Sequence, residues 1–186
     1  MTSRTGKPIV IADYDRAWPR RFERERELIL ATCGAAAFVR IEHMGSTAVP
    51  GLAAKPIIDI MPGLRSLDDA PPLIPLLASI DSEYAVLDID IPAHGFFRKD
   101  VDGERVFHMH MVETASDFWR DRLLFRDFLR ISPEDRQEYE RVKRRLAAEY
   151  NAVLTPQSNT NVGYTDRKSD CIAAIMAKAR TRMGRP

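Results

Sequence analysis

The chain has 186 residues, of which 45% are hydrophobic and 30% are charged. This length and apolar content predict a single domain spanning residues 1–186, with enough apolar side chains for a real core. The 28 lysines and arginines almost cancel the 27 aspartates and glutamates, leaving a formal net charge of +1. The overall charge therefore favours neither nucleic acid nor an anionic membrane as a partner.

The N-terminal residues have no apolar core of a signal peptide, and no apolar run approaches the roughly 20 residues of a membrane span. The two cysteines, Cys33 and Cys171, are far apart in helical patterns. This spacing favours two reduced thiols, with a disulfide or redox pair as the alternative. The expected location is therefore the cytoplasm.

The first part of the chain predicts one helix and two strands. Apolar residues at helical spacing predict an amphipathic helix over about residues 16–33. Phe38–Ile41 and Ile57–Met61 are typical of strands, and Pro62-Gly63 is expected to end the second one. A helix is predicted over about 67–80, with its prolines in the first turn.

The middle of the chain predicts more strands. Tyr84–Leu87 is typical of a strand. Phe96–Lys99 and Val106–Val112 are predicted to pair as a hairpin, because Asp102-Gly103 supplies the residues of a tight turn.

The C-terminal third is predicted to be helical. An apolar stripe from Trp119 to Leu129 indicates one helix, and Ser132–Asp135 starts the next with Ser as N-cap and Pro at the first position. The basic run Arg141–Arg145 in this second helix is interpreted as a solvated face rather than an RNA-binding patch. A last helix follows the polar gap Thr155–Asn161. The order of elements predicts an α/β or α+β fold, with a small mixed sheet of about five strands packed by helices.

A Gly-Ser turn between the first two strands is a candidate phosphate site. Gly45 allows a tight turn and close approach of a ligand. Ser46 or Thr47 can cap a short helix whose N–H groups favour phosphate, and Lys55 is placed to neutralise it. Many ordinary strand–helix connections have the same residues, so a purely structural turn is the alternative.

A single acid, Asp59, lies within the second strand between isoleucines. A buried carboxylate is rare without a partner, so a metal or a cation is expected beside it. Pairing with Lys55 or Arg98 would satisfy it equally. His43, just before the turn, is either a ligand contact or a core histidine.

His108 and His110 are separated by one residue and so share a face of their predicted strand. They are interpreted as metal ligands, as hydrogen-bonding groups of a ligand cleft, or as structural residues. With His43, they are three of the four histidines, His94 being the other, and we expect the three to meet around Asp59.

Two further cations, Arg98 and Lys168, are candidate phosphate contacts. Arg98 lies on a predicted strand and Lys168 at the last helix. A solvated charge is the alternative for each.

These motifs together resemble one family. The segments His43–Leu52 and Lys55–Ile60 are similar to the signature of the GrpB family. The resemblance extends to Tyr14-x-x-x-Trp18, Phe107–His110 and Tyr164-x-x-x-Lys168, and so covers nearly the whole chain. It implies the nucleotidyltransferase fold of the DNA polymerase beta superfamily, in a family found alone and fused to dephospho-CoA kinase and without an established activity.

The resemblance also implies roles for the residues. Gly45-Ser46 would contact a triphosphate, and Asp59 would be the first metal-binding acid. Active members of the superfamily carry a second acid two residues later and a third on another strand, which hold two divalent ions. Here Met61 occupies the second position, and the neighbouring strand offers His108 and His110.

This departure bears on the metal and on catalysis. Magnesium prefers oxygen ligands, whereas one aspartate with two imidazoles (Asp59, His108 and His110) suits Zn²⁺, Mn²⁺ or Fe²⁺. The resemblance keeps a divalent Mg or Mn ion as the expected cofactor, ahead of Zn. Whether the chain is an enzyme is left open.

The sequence therefore predicts a protein that binds a nucleotide or phosphorylated small molecule in a cleft around Gly45-Ser46 and Asp59. A divergent nucleotidyltransferase is one form of this prediction. The alternative is a non-catalytic module that binds a nucleotide or coenzyme, or that stabilises a partner. No nucleic acid or membrane is expected as a partner, and the oligomeric state is not predicted.

Overall fold

A computed structural model describes residues 7–80, 82–84, 95–158 and 164–184. The chain divides into two compact units, which we call the sheet unit and the helical unit; the prediction of a single domain stays a prediction. The sheet unit comprises Asp15–Ala48 and Ile57–Leu123, and the helical unit comprises Met1–Tyr14, Val49–Pro56 and Leu124–Pro186.

The sheet unit contains a mixed sheet, which has five strands in the described part of the chain. Its elements are α1 (Trp18–Cys33), β1 (Arg40–Met44), β2 (Ile58–Leu64), α2 (Leu73–Ala78), β3 (Ser82–Tyr84), β4 (Gly95–Val101) and β5 (Glu104–Glu113). The strand order is β1-β2-β5-β4-β3; β2 and β5 are parallel and the other neighbours are antiparallel. The predicted fold class, a small mixed sheet packed by helices, is confirmed.

One face of the sheet is covered by α1. The ring of Phe22 stacks on His43 of β1 with centroids 4.7 Å apart. Glu25 forms an ion pair with Lys99 of β4 at 3.1 Å, and both side chains are nearly buried. The helix predicted over 16–33 is therefore confirmed, and its apolar face packs on the sheet.

The opposite face carries an apolar cluster beneath the start of α3 (Asp117–Ile131). Gly63 fits under Trp119 because it has no side chain: a Cβ there would lie 2.7 Å from the indole ring and 2.5 Å from Thr114. The buried members of the cluster are Met44, Met61, Val112 and Trp119.

The first two strands end later than the sequence predicts, and β1 begins at Arg40 rather than at Phe38. β1 extends to Met44 because His43 and Met44 pair with Ile60 and Asp59 of β2. β2 continues past Pro62 to Leu64. Proline has no N–H to donate, and the described β2–β5 pairing passes from Ile60 directly to Gly63, so the proline is accommodated within the strand.

The helix predicted over 67–80 is shorter and divided. A 3₁₀ turn at Leu67–Asp69 comes first, and α2 begins only after Pro72. Two successive prolines lack the N–H groups that a continuous helix would need, so the first turn cannot join the second.

The hairpin between β4 and β5 is confirmed. Its turn residues, Asp102 and Gly103, have φ angles of 53° and 77°, as a tight turn with two left-handed residues requires. The strand predicted at Tyr84–Leu87 overlaps β3 (Ser82–Tyr84) at Tyr84, and residues 85–87 lie outside the described residues.

The helical unit contains the end of α3, α4 (Pro133–Ala152) and α5 (Ser169–Met183). Helix α4 begins at the predicted position, yet the Ser132 hydroxyl donates to the Asp135 carboxylate at 2.7 Å and does not cap the backbone. The predicted polar gap lies between α4 and α5, and residues 159–161 of it are outside the described residues. One core cluster includes Leu52, Phe128, Tyr139 and Ile175, and another includes Ile9, Leu146, Tyr150 and Tyr164.

The prediction of a fully solvated basic run in α4 is wrong for one residue. Arg141 is exposed, but Lys143 is only 2% exposed. Its ammonium group donates to the carbonyl of Ala53 and lies 4.8 Å from the ring centre of Tyr139. Lys143 lies on the apolar side because it follows Tyr139 by four residues and so shares its helix face.

Cys33 and Cys171 are free thiols, and burial raises the pKa of both. Among the helices of the described residues, none has the length and apolar character needed to cross a membrane.

Candidate functional site

The predicted Gly-Ser turn follows β1 directly. Gly45 has a φ of +73° and leads into a 3₁₀ turn at Ser46–Ala48. A Cβ at Gly45 would overlap Oδ2 of Asp59 and lie 3.0 Å from its Cγ. Glycine is therefore required twice, for the left-handed backbone and for the close approach of the carboxylate.

Hydrogen bonds between buried groups fix the position of this turn. Thr47 is 1% exposed, and its hydroxyl lies 3.0 Å from Nε2 of His43 and 3.4 Å from the Ile57 carbonyl. Because the hydroxyl has one proton to donate, donation to Ile57 leaves it as the acceptor of the His43 N–H. Thr47 and His43 thus fix the turn.

His43 does not join the other histidines around Asp59. In the β1–β2 register it is Met44, not His43, that pairs with Asp59, so His43 projects from the opposite face of the sheet. There it stacks on Phe22. The predicted meeting of three histidines is therefore wrong, because the alternation of the strand separates His43 from the rest; His94 lies outside the described residues.

Asp59 and His108 do meet, as neighbours on the parallel strands β2 and β5. Nδ1 of His108 lies 3.4 Å from Oδ1 of Asp59, and both side chains remain about a quarter exposed, at 26% and 28%. The pair is thus accessible from solvent at the end of the Gly45 turn.

The environment of Asp59 favours its ionised form. Desolvation raises the pKa of the carboxyl, but the hydrogen bond with His108 and the fields of His108, His110 and His43 lower it more. The net effect holds the pKa of Asp59 below its usual value, so the group is a carboxylate at neutral pH.

His110 lies among aromatic rings further along β5. Its ring centre is 4.9 Å from that of Phe96 and 5.7 Å from that of Phe118. Phe96 also contacts His108, at 5.2 Å. The two histidines share a face, as predicted, and Phe96 packs against both rings.

The described side chains do not form a ready metal centre. Within the described ranges, no group of three or more His, Cys, Asp or Glu residues is placed to hold a metal ion. The predicted set of Asp59, His108 and His110 therefore does not fit a resident metal, and we derive no step that depends on one.

The position of the expected second acid is a core position. Met61 is fully buried in the cluster beneath Trp119. A carboxylate at this place would lie among apolar side chains, which explains in physical terms why methionine is compatible with this fold.

Two other charged residues share the face of Asp59. Arg98 of β4 is half-buried and is the neighbour of His108 in the strand register. Because β4 lies two strand spacings from β2, the backbone of Arg98 is about 10 Å from that of Asp59. Glu42 of β1 pairs with Met61 and forms an ion pair with Arg40. Glu42 lies on this face because its partner in the register, Met61, is two residues from Asp59.

The two candidate lysines belong to the helical unit. The ammonium groups of Lys55 and Lys168 lie 4.4 and 4.5 Å from the ring centre of Tyr164. His108 is an ion-pair partner of Asp59, and pairing of Asp59 with Lys55 or Arg98 stays an alternative. The contact of both lysines with the ring of Tyr164 was not predicted, although Tyr164 and Lys168 are four residues apart in the sequence.

Comparison with known proteins identifies relatives of the whole chain. The family model for GrpB protein matches residues 8–178. A UPF0157 protein of Streptomyces coelicolor is 37% identical over 92% of this chain and 84% of its own length. The glutamate-rich protein GrpB of Alkalihalophilus pseudofirmus is 30% identical over 90% of this chain and 94% of its own length.

Other matches are more distant or partial. A dephospho-CoA kinase of Mycolicibacterium paratuberculosis is 29% identical over 74% of this chain but only 39% of its own length. Among solved structures, GrpB from Enterococcus faecalis has a TM-score of 0.78 and 25% identity, covering 94% of this chain and 99% of that chain. A terminal uridylyl transferase from Trypanosoma brucei is a distant neighbour, with a TM-score of 0.48, 16% identity and coverage of 78% of this chain and 43% of that chain.

Proposed function

The chain belongs to the GrpB family, as its motifs predicted, and from this premise we propose that the sheet unit binds a nucleotide or another phosphorylated small molecule. The site consists of the Gly45-Ser46 turn and the Asp59 carboxylate. The observation that carries the proposal is the closeness of the Asp59 carboxylate to the Gly45 backbone, where no side chain would fit.

The turn supplies the anion-binding part of the proposed site. A left-handed residue followed by helical residues is a backbone in which successive N–H groups gather around an anion. Gly45 and the 3₁₀ turn after it have this form. The Ser46 hydroxyl adds a donor at the same place, and His43 and Thr47 hold the turn in position.

Asp59 supplies the negative group. Nucleotides carry Mg²⁺ on their phosphates, and proteins commonly bind this ion through one or two carboxylates together with those phosphates. An ionised, partly exposed Asp59 suits that role for Mg or Mn brought by the ligand. His108 would orient the carboxylate, and Arg98 lies on the same face for a more distant phosphate.

We propose binding in preference to two-metal nucleotidyl transfer because Met61 lies in the core where a second acid would be needed. A divergent transferase that uses other groups is the alternative. An assay of pyrophosphate release from an NTP with Mg²⁺ or Mn²⁺ decides between them. Turnover by wild type that is lost in Asp59→Asn supports an enzyme. Binding of the NTP by wild type without turnover supports a binding module.

A coenzyme is the second candidate ligand. The observation that favours it is the similarity to a protein named dephospho-CoA kinase, of which this chain spans 39%. Dephospho-CoA contains an adenine nucleotide, so the same turn would bind its phosphates. Competition between dephospho-CoA and ATP in one titration ranks the two ligands.

The proposal is tested by isothermal titration with ATP and Mg²⁺. We expect wild type to bind and Asp59→Asn to bind at least about tenfold more weakly, since a charge-assisted contact contributes about 1.5–3 kcal/mol. Asp102→Asn is the matched control, because it is the same change at the exposed hairpin turn of the same unit, where Asn tolerates a positive φ. Equal affinities for the three proteins would exclude Asp59 from the site.

A further inference from the structure

The helical unit contains two lysines held against one buried tyrosine. Tyr164 is 1% exposed, and the ammonium groups of Lys55 and Lys168 each lie within 4.5 Å of its ring centre. Because both ammonium nitrogens lie within 4.5 Å of the same ring centre, they are at most about 9 Å from each other. Attraction between each ammonium group and the face of the ring restricts where the ammonium group lies.

The segment that carries Lys55 is anchored on α4 by two hydrogen bonds. The N–H of Ala53 donates to Glu140 at 3.2 Å, and the carbonyl of Ala53 accepts from the ammonium group of Lys143. Because both backbone groups of Ala53 are fixed, the position of Lys55 two residues later is also restricted. Lys143 thus acts on Lys55 through the backbone.

The charge of Lys168 acts on the buried Lys143. Desolvation is the largest cause that lowers the pKa of Lys143, to about 7, and the charge of Lys168 is the next. Glu140 opposes this effect and Arg144 adds to it. The positive potential that Lys168 produces at Lys143 would attract an anion to the same region.

We propose that Lys55 and Lys168 bind the phosphate chain of a ligand in the helical unit, with Lys143 as a positioning residue. All three lysines belong to the helical unit, and the proposal does not depend on the function proposed for Asp59. Each ammonium group carries three N–H donors, which suit phosphate oxygens. Lysine binds phosphate as a point charge, so a chain of two or three phosphates that reaches both lysines fits better than a single one.

The test is titration of the full chain with inorganic triphosphate in EDTA, so that no metal links the ligand to Asp59. We expect wild type to bind, and Lys55→Gln/Lys168→Gln to bind at least about tenfold more weakly. Lys55→Arg/Lys168→Arg keeps both charges and should retain binding, which separates loss of charge from loss of fold. Lys7→Gln is the control for charge alone, because Lys7 is an exposed lysine of the same unit.

The role of Lys143 has its own readout. Triphosphate beside Lys168 offsets the charge that repels Lys143, so wild type should take up protons on binding near pH 7, measured by titration in buffers of different ionisation enthalpy. Lys143→Met should show less uptake. The proposal is overturned if wild type does not bind triphosphate, if the double Gln variant binds like wild type, or if Asp59→Asn abolishes this binding; equal proton uptake in Lys143→Met would exclude Lys143.

Discussion

The carboxylate of Asp59 lies so close to the backbone of Gly45 that a single methyl group at position 45 would overlap it. This contact joins the turn after β1 to the acid of β2. It makes the shape of the turn and the position of the carboxylate one structural feature, because neither can change without the other.

Gly45→Ala should destabilise the protein more than a left-handed backbone alone requires. Strain at a positive φ costs about 1–3 kcal/mol, and displacement of Asp59 adds to this. Gly51→Ala is the matched control, because Gly51 has a φ of +77° and nothing within 4 Å of its Cβ position. Urea unfolding compares the two variants; equal losses of the free energy of unfolding would contradict the close contact.

His108→Gln should raise the pKa of Asp59. The histidine supplies the hydrogen bond and a favourable field, and without them desolvation dominates. NMR titration of the Asp59 carboxyl carbon measures the effect. Because the folded pKa is below the unfolded value of about 3.9, wild type should lose the stabilising contribution of Asp59 as pH falls from that value through the folded pKa. An unchanged Asp59 pKa in the variant would show that the two side chains do not interact.

Met61→Asp should not create a second metal-binding acid but should destabilise the fold. The new carboxylate would be buried beneath Trp119, at a cost of several kcal/mol unless it is neutralised. Met61→Leu keeps the volume and should cost less than about 1.5 kcal/mol. Chemical unfolding of both variants gives the comparison, and a Met61→Asp protein as stable as Met61→Leu would mean that this position is not part of the core.

Lys143 should make stability depend on pH in the alkaline range. Burial lowers its folded pKa to about 7, from 10.5. Between these values the unfolded chain binds more protons, so stability rises with pH, by up to about 1.4 kcal/mol per pH unit. Unfolding at pH 7, 8 and 9 should therefore give a steeper rise for wild type than for Lys143→Met. Equal pH dependence of the free energy of unfolding in the two proteins would show that the Lys143 ammonium group is solvated or paired with a negative charge.

The sequence predicted most elements of the fold because their signals are local. The hairpin follows from its turn residues, Asp102 and Gly103, and the start of α4 follows from the proline at its first position. The end of β1 was predicted too early because it depends on pairing with β2. The position of His43 was therefore also predicted wrongly. Three additional residue pairs, from Glu42 to Met44, extend β1 along β2 and place His43 on the face of α1 rather than beside Asp59.

The candidate site was predictable only in part for the same reason. Asp59 and His108 are separated by 49 positions in the sequence, and the family resemblance, not spacing, suggested that they belong together. The burial of Lys143 was missed because a run of five mostly basic residues indicates solvent, whereas its helix phase relative to Tyr139 determines its environment.

The most direct test of the central proposal is a crystal structure of the protein soaked with ATP and Mn²⁺. We predict phosphate density at the Gly45-Ser46 turn and an anomalous manganese peak at the Asp59 carboxylate. Phosphates bound away from that turn, with no manganese at Asp59 in a crystal that holds ATP, would contradict the proposal that this turn and carboxylate form the ligand site.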